Sequence, residues 1–263
     1  MIRALFTSST GMISQQLNVD TIANNIANVN TTGFKKSRVN FQDLLYETIK
    51  PPGTETTTGA RIPEGIQVGH GVRPATIAKI FSQGNLILTG NQFDLVIEGD
   101  GFFQIELPDG TVSYTRDGSF KVDADGNIVT ADGYPLVPAL TLPDNFLQFI
   151  VNADGNASVT TADSPVPQVL GQINLVRFIN PSGLDARLGR NLLLETEASG
   201  PPQEGQPGLD GLGTIAQGFL ENSNVQVVEE IVNLIIAQRA YEANANIVST
   251  SDEMLQVANN VKR

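Results

Sequence analysis

Two stretches of this chain, one at each end, space their residues by alternating threes and fours, while the middle reads differently. Near the start the stepping picks out Ile2, Leu5, Ser9, Met12, Gln16, Val19, Ala23 and Ile26. Near the finish it picks out Val227, Ile231, Leu234, Gln238, Tyr241, Ala245, Val248, Asp252 and Leu255. Such a repeat keeps one helix face toward a partner over many turns. It predicts two long helices, the first stopped near Gly33 and the second opened by Ser223 with Gln226 in a capping-box pattern. A second helix running almost to Arg263 is roughly 55 Å long at about 1.5 Å per residue, more than a compact domain of this size requires. Two surface helices packed on each other in one domain give the same pattern. Polar members of the stripes (Ser9, Gln16, Gln238, Asp252) suit a seam that other copies complete or hold in register.

Between the helices the signal is β. Asp-Gly recurs at 100–101, 109–110, 117–118, 125–126, 132–133 and 154–155, with short apolar or β-branched runs in between. Glycine accepts the positive φ of a tight turn, so this pairing marks hairpins. Candidate strands are 93–98, 101–107, 111–115, 146–151 and 172–178, an antiparallel sandwich or barrel-like domain. Polar Pro/Gly-rich stretches at 50–59 and 199–208 read as linkers. The expected fold class is α+β: long terminal helices forming a coiled-coil-like core domain, with a central antiparallel β domain. Its expected boundaries are 1–33 and 222–263 for the helices, 34–90 and 199–221 for connections, and 91–198 for the outer β domain.

Composition narrows the function. The 263 residues carry 16 basic and 28 acidic side chains, a net charge of −12. A nucleic-acid or membrane surface calls for a basic patch, and only Lys35-Lys36 and Arg38 cluster. There is no cysteine, hence no disulfide, thiolate nucleophile or cysteine-based metal site. The first residues lack the apolar core of a secretory signal, and no run of 18 apolar residues suggests a transmembrane helix. His70, in Gly69-His70-Gly71, is the single histidine and stands without a nucleophile motif. Asp123-Ala124-Asp125-Gly126-Asn127 fits a hairpin turn better than a calcium loop, since Ile128 and Tyr134 occupy the places of the required glycine and glutamate. A glycosidase pair such as Glu98 with Asp117 has no positive support. No catalytic residue, no cofactor and no metal are expected.

The stretch Ile22-Ala23-Asn24-Asn25-Ile26-Ala27-Asn28-Val29-Asn30-Thr31-Thr32-Gly33-Phe34-Lys35 resembles the N-terminal signature of the bacterial flagellar rod and hook family. Residues 229–245, with Gln238-Arg239-Ala240-Tyr241-Glu242-Ala243-Asn244 at their heart, resemble its C-terminal signature. Segments 69–74, 82–86, 99–103 and 114–120 extend the resemblance over nearly the whole chain and point to the distal-rod branch.

That resemblance implies a self-assembling helical tube, stiff enough to transmit torque from motor to hook. The terminal helices line its inner core and the β domain faces outward. It implies a homo-oligomeric filament whose partners are proximal rod proteins, hook-side neighbours, the P- and L-ring proteins and the flagellar type III export apparatus, with no nucleic acid. It places the chain in the basal body, spanning the periplasm. Tyr46 to Arg73 resembles the insertion associated with rod stiffness, with Ile62, Pro63, Ile66 and Val68 as anchors. Candidate subunit contacts are Leu5, Met12, Val19, Ala23, Asn24, Asn25, Ile26 and Asn28 from the first helix region. The second helix supplies Ile231, Leu234, Gln238, Arg239, Tyr241, Ala245, Val248 and Leu255. The alternatives are a hook or proximal rod subunit and, from another class, an extracytoplasmic carbohydrate-acting enzyme.

Overall fold

A computed structural model describes residues 2–53, 64–162 and 166–260. The chain divides into two units: Met1–Ala27, Ser37–Ala78 and Gln226–Arg263 form one, and Asn28–Lys36 with Lys79–Val225 form the other. The architecture is α+β, with a helix at each end and antiparallel strands between.

The first unit holds α1 (Ile2–Ala27), β1 (Ser37–Asp43), β2 (Tyr46–Lys50), β3 (Ile66–Gly69) and β4 (Val72–Lys79, whose last residue falls in the second unit), together with α2 (Val227–Asn260). The two helices pack against each other. β1 pairs with β4, and β2 pairs antiparallel with β3. Gly71 passes the Thr10 side chain so closely that no Cβ fits there, which accounts for the second glycine of Gly69-His70-Gly71. The Thr10 hydroxyl in turn accepts the Val72 N–H at 3.4 Å.

Both helix ends differ from the sequence expectation. α1 stops at Ala27, ahead of Gly33, where Asn28 accepts from the Thr31 N–H and from its hydroxyl. Gly33 serves a close approach instead: a Cβ would lie 2.7 Å from the Asp117 nitrogen. α2 opens at Val227, its first helical bond running from the Glu230 N–H to the Gln226 carbonyl. Ser223 caps no helix; its hydroxyl accepts the Val225 N–H in a preceding turn.

The second unit carries β5 (Leu86–Leu88), β6 (Leu95–Glu98), β7 (Phe103–Glu106), β8 (Val112–Thr115), β9 (Lys121–Val122) and β10 (Ile128–Val129). Then come β11 (Leu136–Val137), β12 (Phe146–Val151), β13 (Asn156–Thr161), β14 (Gln168–Gln172) and β15 (Leu175–Arg177). Last are β16 (Gln203–Gly205), β17 (Thr214–Gln217) and β18 (Phe219–Glu221). The sheets run β11-β7-β8 and β12-β13-β14, with pairs β9-β10, β15-β16, β6-β17 and β5-β18. Gly110, Gly126, Gly133 and Gly155 turn the chain with positive φ, as the Asp-Gly pattern requires. Gly118 differs: it lies against the Leu95 carbonyl with no space for a Cβ. The Pro/Gly-rich stretch at 199–208, linker-like in composition, contributes β16, which pairs with β15.

Strand alternation builds two cores here. Successive side chains of a strand point to opposite faces. Phe103 and Leu175 enter a large cluster with Phe120, Phe149, Ile97 and Ile105. Their neighbours Phe102 and Val176 enter a second one with Tyr114, Phe178, Leu184 and Leu193. Tyr114 meets Phe178 edge-on, ring centroids 4.8 Å apart. Burial of the Tyr114 phenol pushes its pKa from 10.0 up to about 12, with Glu195 and Glu204 adding repulsion. An unfolded chain gives up that proton first as pH rises. The stabilisation is therefore whole below pH 10.0 and is lost as pH climbs through about 12. Tyrosinate absorbance in a base titration should show one late step near pH 12, absent in Tyr114→Phe. A folded parent without a late step would contradict this.

Candidate assembly interface

The helix pair is antiparallel. The Asn25 amide donates to Glu230 Oε2 at 3.2 Å near one end, and a Cβ on Gly11 would touch the Asn244 side chain at 3.0 Å further along. Between those points α1 runs backward while α2 runs forward by the same number of residues. The buried residues are mostly small or polar: Ser8, Ser14, Thr21, Asn25 and the single large apolar Ile22 on α1, with Glu230, Ala237 and Ser251 on α2. This set sits one residue earlier than the stripe at 9, 23 and 26 in α1, and earlier than 231, 238 and 252 in α2.

Many large apolar side chains are instead exposed. Ile2, Phe6 and Ile13 of α1 are exposed, and so are Val228, Ile231, Val232, Ile235, Ile236, Ile247, Met254 and Val257 of α2. Val228 reaches 77% exposure. Ile2, Phe6 and Ile13 fall at helical spacing on one side of α1, and Val228, Val232 and Ile235 do so on α2.

Among the candidate contacts, Ala23, Asn24, Ile231, Gln238, Arg239 and Tyr241 are exposed. Leu5, Met12, Val19, Ile26, Asn28, Leu234, Ala245, Val248 and Leu255 are half-buried. Val19, Gln238 and Tyr241 join Gln16 and Glu242 around an open groove of about 520 Å³ on the helix pair. Arg239 pairs with Glu242 at 2.9 Å along α2. Of the anchors in the insertion, Ile66 is exposed and Val68 half-buried, while Ile62 and Pro63 lie outside the described residues.

Asn25 requires a correction. It is 2% exposed, so it cannot meet another copy. Its carbonyl oxygen accepts the Ser37 N–H at 2.9 Å, and its amide donates to the Ser37 carbonyl at 2.9 Å besides Glu230. The side chain closes α1 onto β1 and α2 within one chain. A polar side chain at a periodic position reads the same whether its partners lie within the chain or across an interface.

The second unit contains a charge cluster that the sequence does not announce. Glu221, Lys35 and Arg116 are all nearly sealed from solvent. Lys35 Nζ lies 2.5 Å from Glu221 Oε1, and the Gly84 N–H donates to the same oxygen at 2.8 Å. Arg116 Nη1 stands 3.7 Å from Glu221 Oε2 and its guanidinium lies over the Phe102 ring. Burial pulls the Lys35 pKa down, with Glu221 opposing, and does the same to Arg116.

Among the described residues the candidate catalytic side chains have structural surroundings. His70 stands 4.0 Å from Glu47 with its side chain partly exposed. The Asp117 carboxylate accepts from Thr32, from the Ser119 N–H and from its hydroxyl, and so holds a turn. Asp123 and Asn127 close the β9-β10 turn. Among the described residues no group of acidic or histidine side chains is placed to hold a metal ion, and no helix is long and apolar enough to cross a membrane.

Comparison with known proteins accounts for the two ends and the middle together. Residues 5–35 match the family model for flagella basal body rod protein. Residues 96–159 match the flagellar hook protein FlgE/F/G D1 domain, and 216–261 the flagellar basal body rod FlgEFG protein C-terminal region. The flagellar basal-body rod protein FlgG of Borreliella burgdorferi is 51% identical over 265 residues, covering 100% of both chains. The chain belongs to the FlgG family. FlgG of Buchnera aphidicola subsp. Schizaphis graminum is 49% identical over 97% of this chain and 98% of its own. FlgF of Caulobacter vibrioides is 34% identical over 98% and 97% respectively. As a FlgG-family member this chain is a structural subunit of the flagellar basal-body rod and not an enzyme.

The corrected place of Asn25 has a measurable consequence. Replacing Asn25 by Leu strands the Ser37 N–H and carbonyl and leaves Glu230 without that donor. Each buried group so orphaned costs about 1–3 kcal/mol. Asn25→Leu should therefore lower the thermal stability of the isolated monomer's helix pair, followed by circular dichroism. Unchanged melting with defective assembly would restore the intersubunit role.

Proposed function

We propose that this rod subunit belongs to the distal rod, where copies pack into a straight helical tube that carries torque from motor to hook. The observation that carries the reading is the inversion of the helix pair. The residues buried on α1 and α2 are mostly serine, threonine, alanine and asparagine, with Ile22 and Glu230, while most of the isoleucine and valine and the one phenylalanine are exposed. Most helix stability comes from burying an apolar face. Here that face is left for neighbouring helices, which would complete a coiled-coil-like seam around a common axis. A head-to-tail contact that does not close on itself builds a filament rather than a ring. Exposed Ile231, Gln238 and Tyr241 and half-buried Leu5, Met12, Val19, Leu234, Val248 and Leu255 are the contacts this packing would use.

The β2-β3 hairpin supports a second element of the reading. A hairpin alone is marginally stable, and all five residues of β2 are exposed. Leaning on axially stacked copies, the hairpin would resist the sliding that bending demands. Export through the type III machine, a position across the periplasm, and contacts with proximal rod, hook-side and ring proteins complete the proposal.

Assembly of purified protein, viewed by electron microscopy, tests it. Ile235→Asp should leave the monomer folded and abolish tube formation, because each copy would bury an unpaired carboxylate at the seam. Tubes forming as readily as those of the parent would sink the seam. Deleting residues 53–64, part of which lies outside the described residues, should leave assembly intact and give curved rods. Rods as straight as the parent's would place stiffness elsewhere.

A further inference from the structure

The Asp-Gly pairs that turn the β unit are also chemically labile. The nitrogen of a glycine that follows aspartate can attack the aspartate Cγ, because a residue without a Cβ leaves that approach open. Seven such pairs occur: the six at 100–101, 109–110, 117–118, 125–126, 132–133 and 154–155, and a seventh at Asp210-Gly211. Glycine follows aspartate in all of them, so the fold decides which one reacts.

Four pairs are guarded by their own turns. The Gly110 N–H donates to the Leu107 carbonyl at 2.9 Å, Gly126 to Asp123 at 3.0 Å, Gly133 to Thr130 at 3.0 Å and Gly155 to Asn152 at 2.9 Å. In each case the glycine takes the closing place of the turn, and its nitrogen is not free to attack until that bond opens. Asp109 is tied further, its carboxylate accepting the Thr111 N–H at 2.9 Å and hydroxyl at 2.6 Å. Two more pairs are guarded by burial. Gly101 is buried against Leu175 and Leu212, and Gly118 against the Leu95 carbonyl. The Asp117 carboxylate is also engaged, by Thr32 and Ser119.

Asp210-Gly211 sits in a different turn. The closing bond there runs from the Leu212 N–H to the Leu209 carbonyl at 2.8 Å, so aspartate and glycine take the two central places. Both have positive φ, 52° and 78°, as the primed turn with two left-handed central residues requires. Both are exposed. The Gly211 N–H is not needed to close the turn and has no acceptor among the described residues.

We propose that Asp210-Gly211 is a self-modification site, where aspartate converts to isoaspartate through a cyclic imide faster than at any other Asp-Gly pair of the folded chain. In the first step the Gly211 nitrogen bonds to Asp210 Cγ. The Cγ–O bond breaks, and the oxygen leaves as water with the amide proton and the acid proton. In the second step water adds to the imide. Cleaving the nitrogen's bond to Cγ restores aspartate; cleaving its bond to the main-chain carbonyl carbon leaves the chain running through the side chain. Water is the sole co-reactant. The product carries an extra main-chain carbon just ahead of Leu212, which is buried in the large core, and of Gly213, whose N–H holds the Asp100 carbonyl at 2.7 Å.

The test ages the full chain folded at neutral pH and, in parallel, in urea. Isoaspartate is located by peptide mass spectrometry with electron-transfer fragmentation. The folded protein should carry isoaspartate at Asp210 at about ten times the level at Asp109, Asp125, Asp132 or Asp154, the factor expected from a turn-closing hydrogen bond near the top of the usual net range. Asp210→Gly, which suits the positive φ, should remove that signal. In urea the seven pairs should convert at similar rates. A folded chain that reacts first elsewhere, or equally at all seven, would overturn the proposal. A lead at Asp210 that persists in urea would overturn it too, since the turn would then not be its cause.

Discussion

Glu221 is the residue on which the β unit's construction turns. Its side chain is 1% exposed, and a carboxylate so enclosed is tolerated only when its charge is matched. Lys35 and the Gly84 N–H occupy Oε1, while the Glu221 backbone carbonyl accepts the Gly33 N–H at 2.8 Å. The stitching continues next door. Asn224 accepts the Lys36 N–H at 2.7 Å and donates to the carbonyls of Ile80 and Ser82, and the Ile80 N–H returns to Lys36. Three passages of chain (33–36, 80–84 and 221–224) are thereby locked to one another by polar contacts that have geometric requirements. Apolar packing alone would let them slide.

The helical unit follows the opposite rule. Where the β unit spends its large side chains on its own cores, α1 and α2 bury mostly small ones, among them Ser8, Ser14, Ala237 and Ser251. Small side chains bring two backbones close but bury little apolar area, and hydrophobic stabilisation scales with that area. The pair is held by specific points, Asn25 with Glu230 and Ser37 above all. Many of the isoleucines and valines that would make it a stable hairpin are exposed, and in the proposed assembly further copies cover them. Weak internal pairing and exposed apolar faces are what the proposed sharing of helices among neighbours requires.

Much of this was legible before any coordinates. The periodic ends declared helices because spacing by threes and fours is a local property of the backbone. The Asp-Gly turns at 109–110, 125–126, 132–133 and 154–155 declared hairpins because a positive φ is a local demand that glycine meets locally. The family signatures at both ends declared rod ancestry. The register of the seam was not legible, since apart from Ile22 its members are serine, threonine, alanine, asparagine and glutamate, which carry little hydrophobic signal to count. Nor was the service of 203–205 as a strand, since Pro/Gly-rich composition describes flexibility in isolation and not the open edge of β15.

The sequence by itself therefore determined which segments become helix, which turn, and what lineage of assembly they serve, because those depend on residues near each other in the chain. Tertiary structure alone decided which helix face is spent inside and that Asn25 is an internal clamp. It also brought Lys35, Arg116 and Glu221 together. The physical reason is the same in each case. Their partners are distant in sequence, and the free energy of a buried polar group is set by the neighbours that folding brings to it, not by those beside it in the chain.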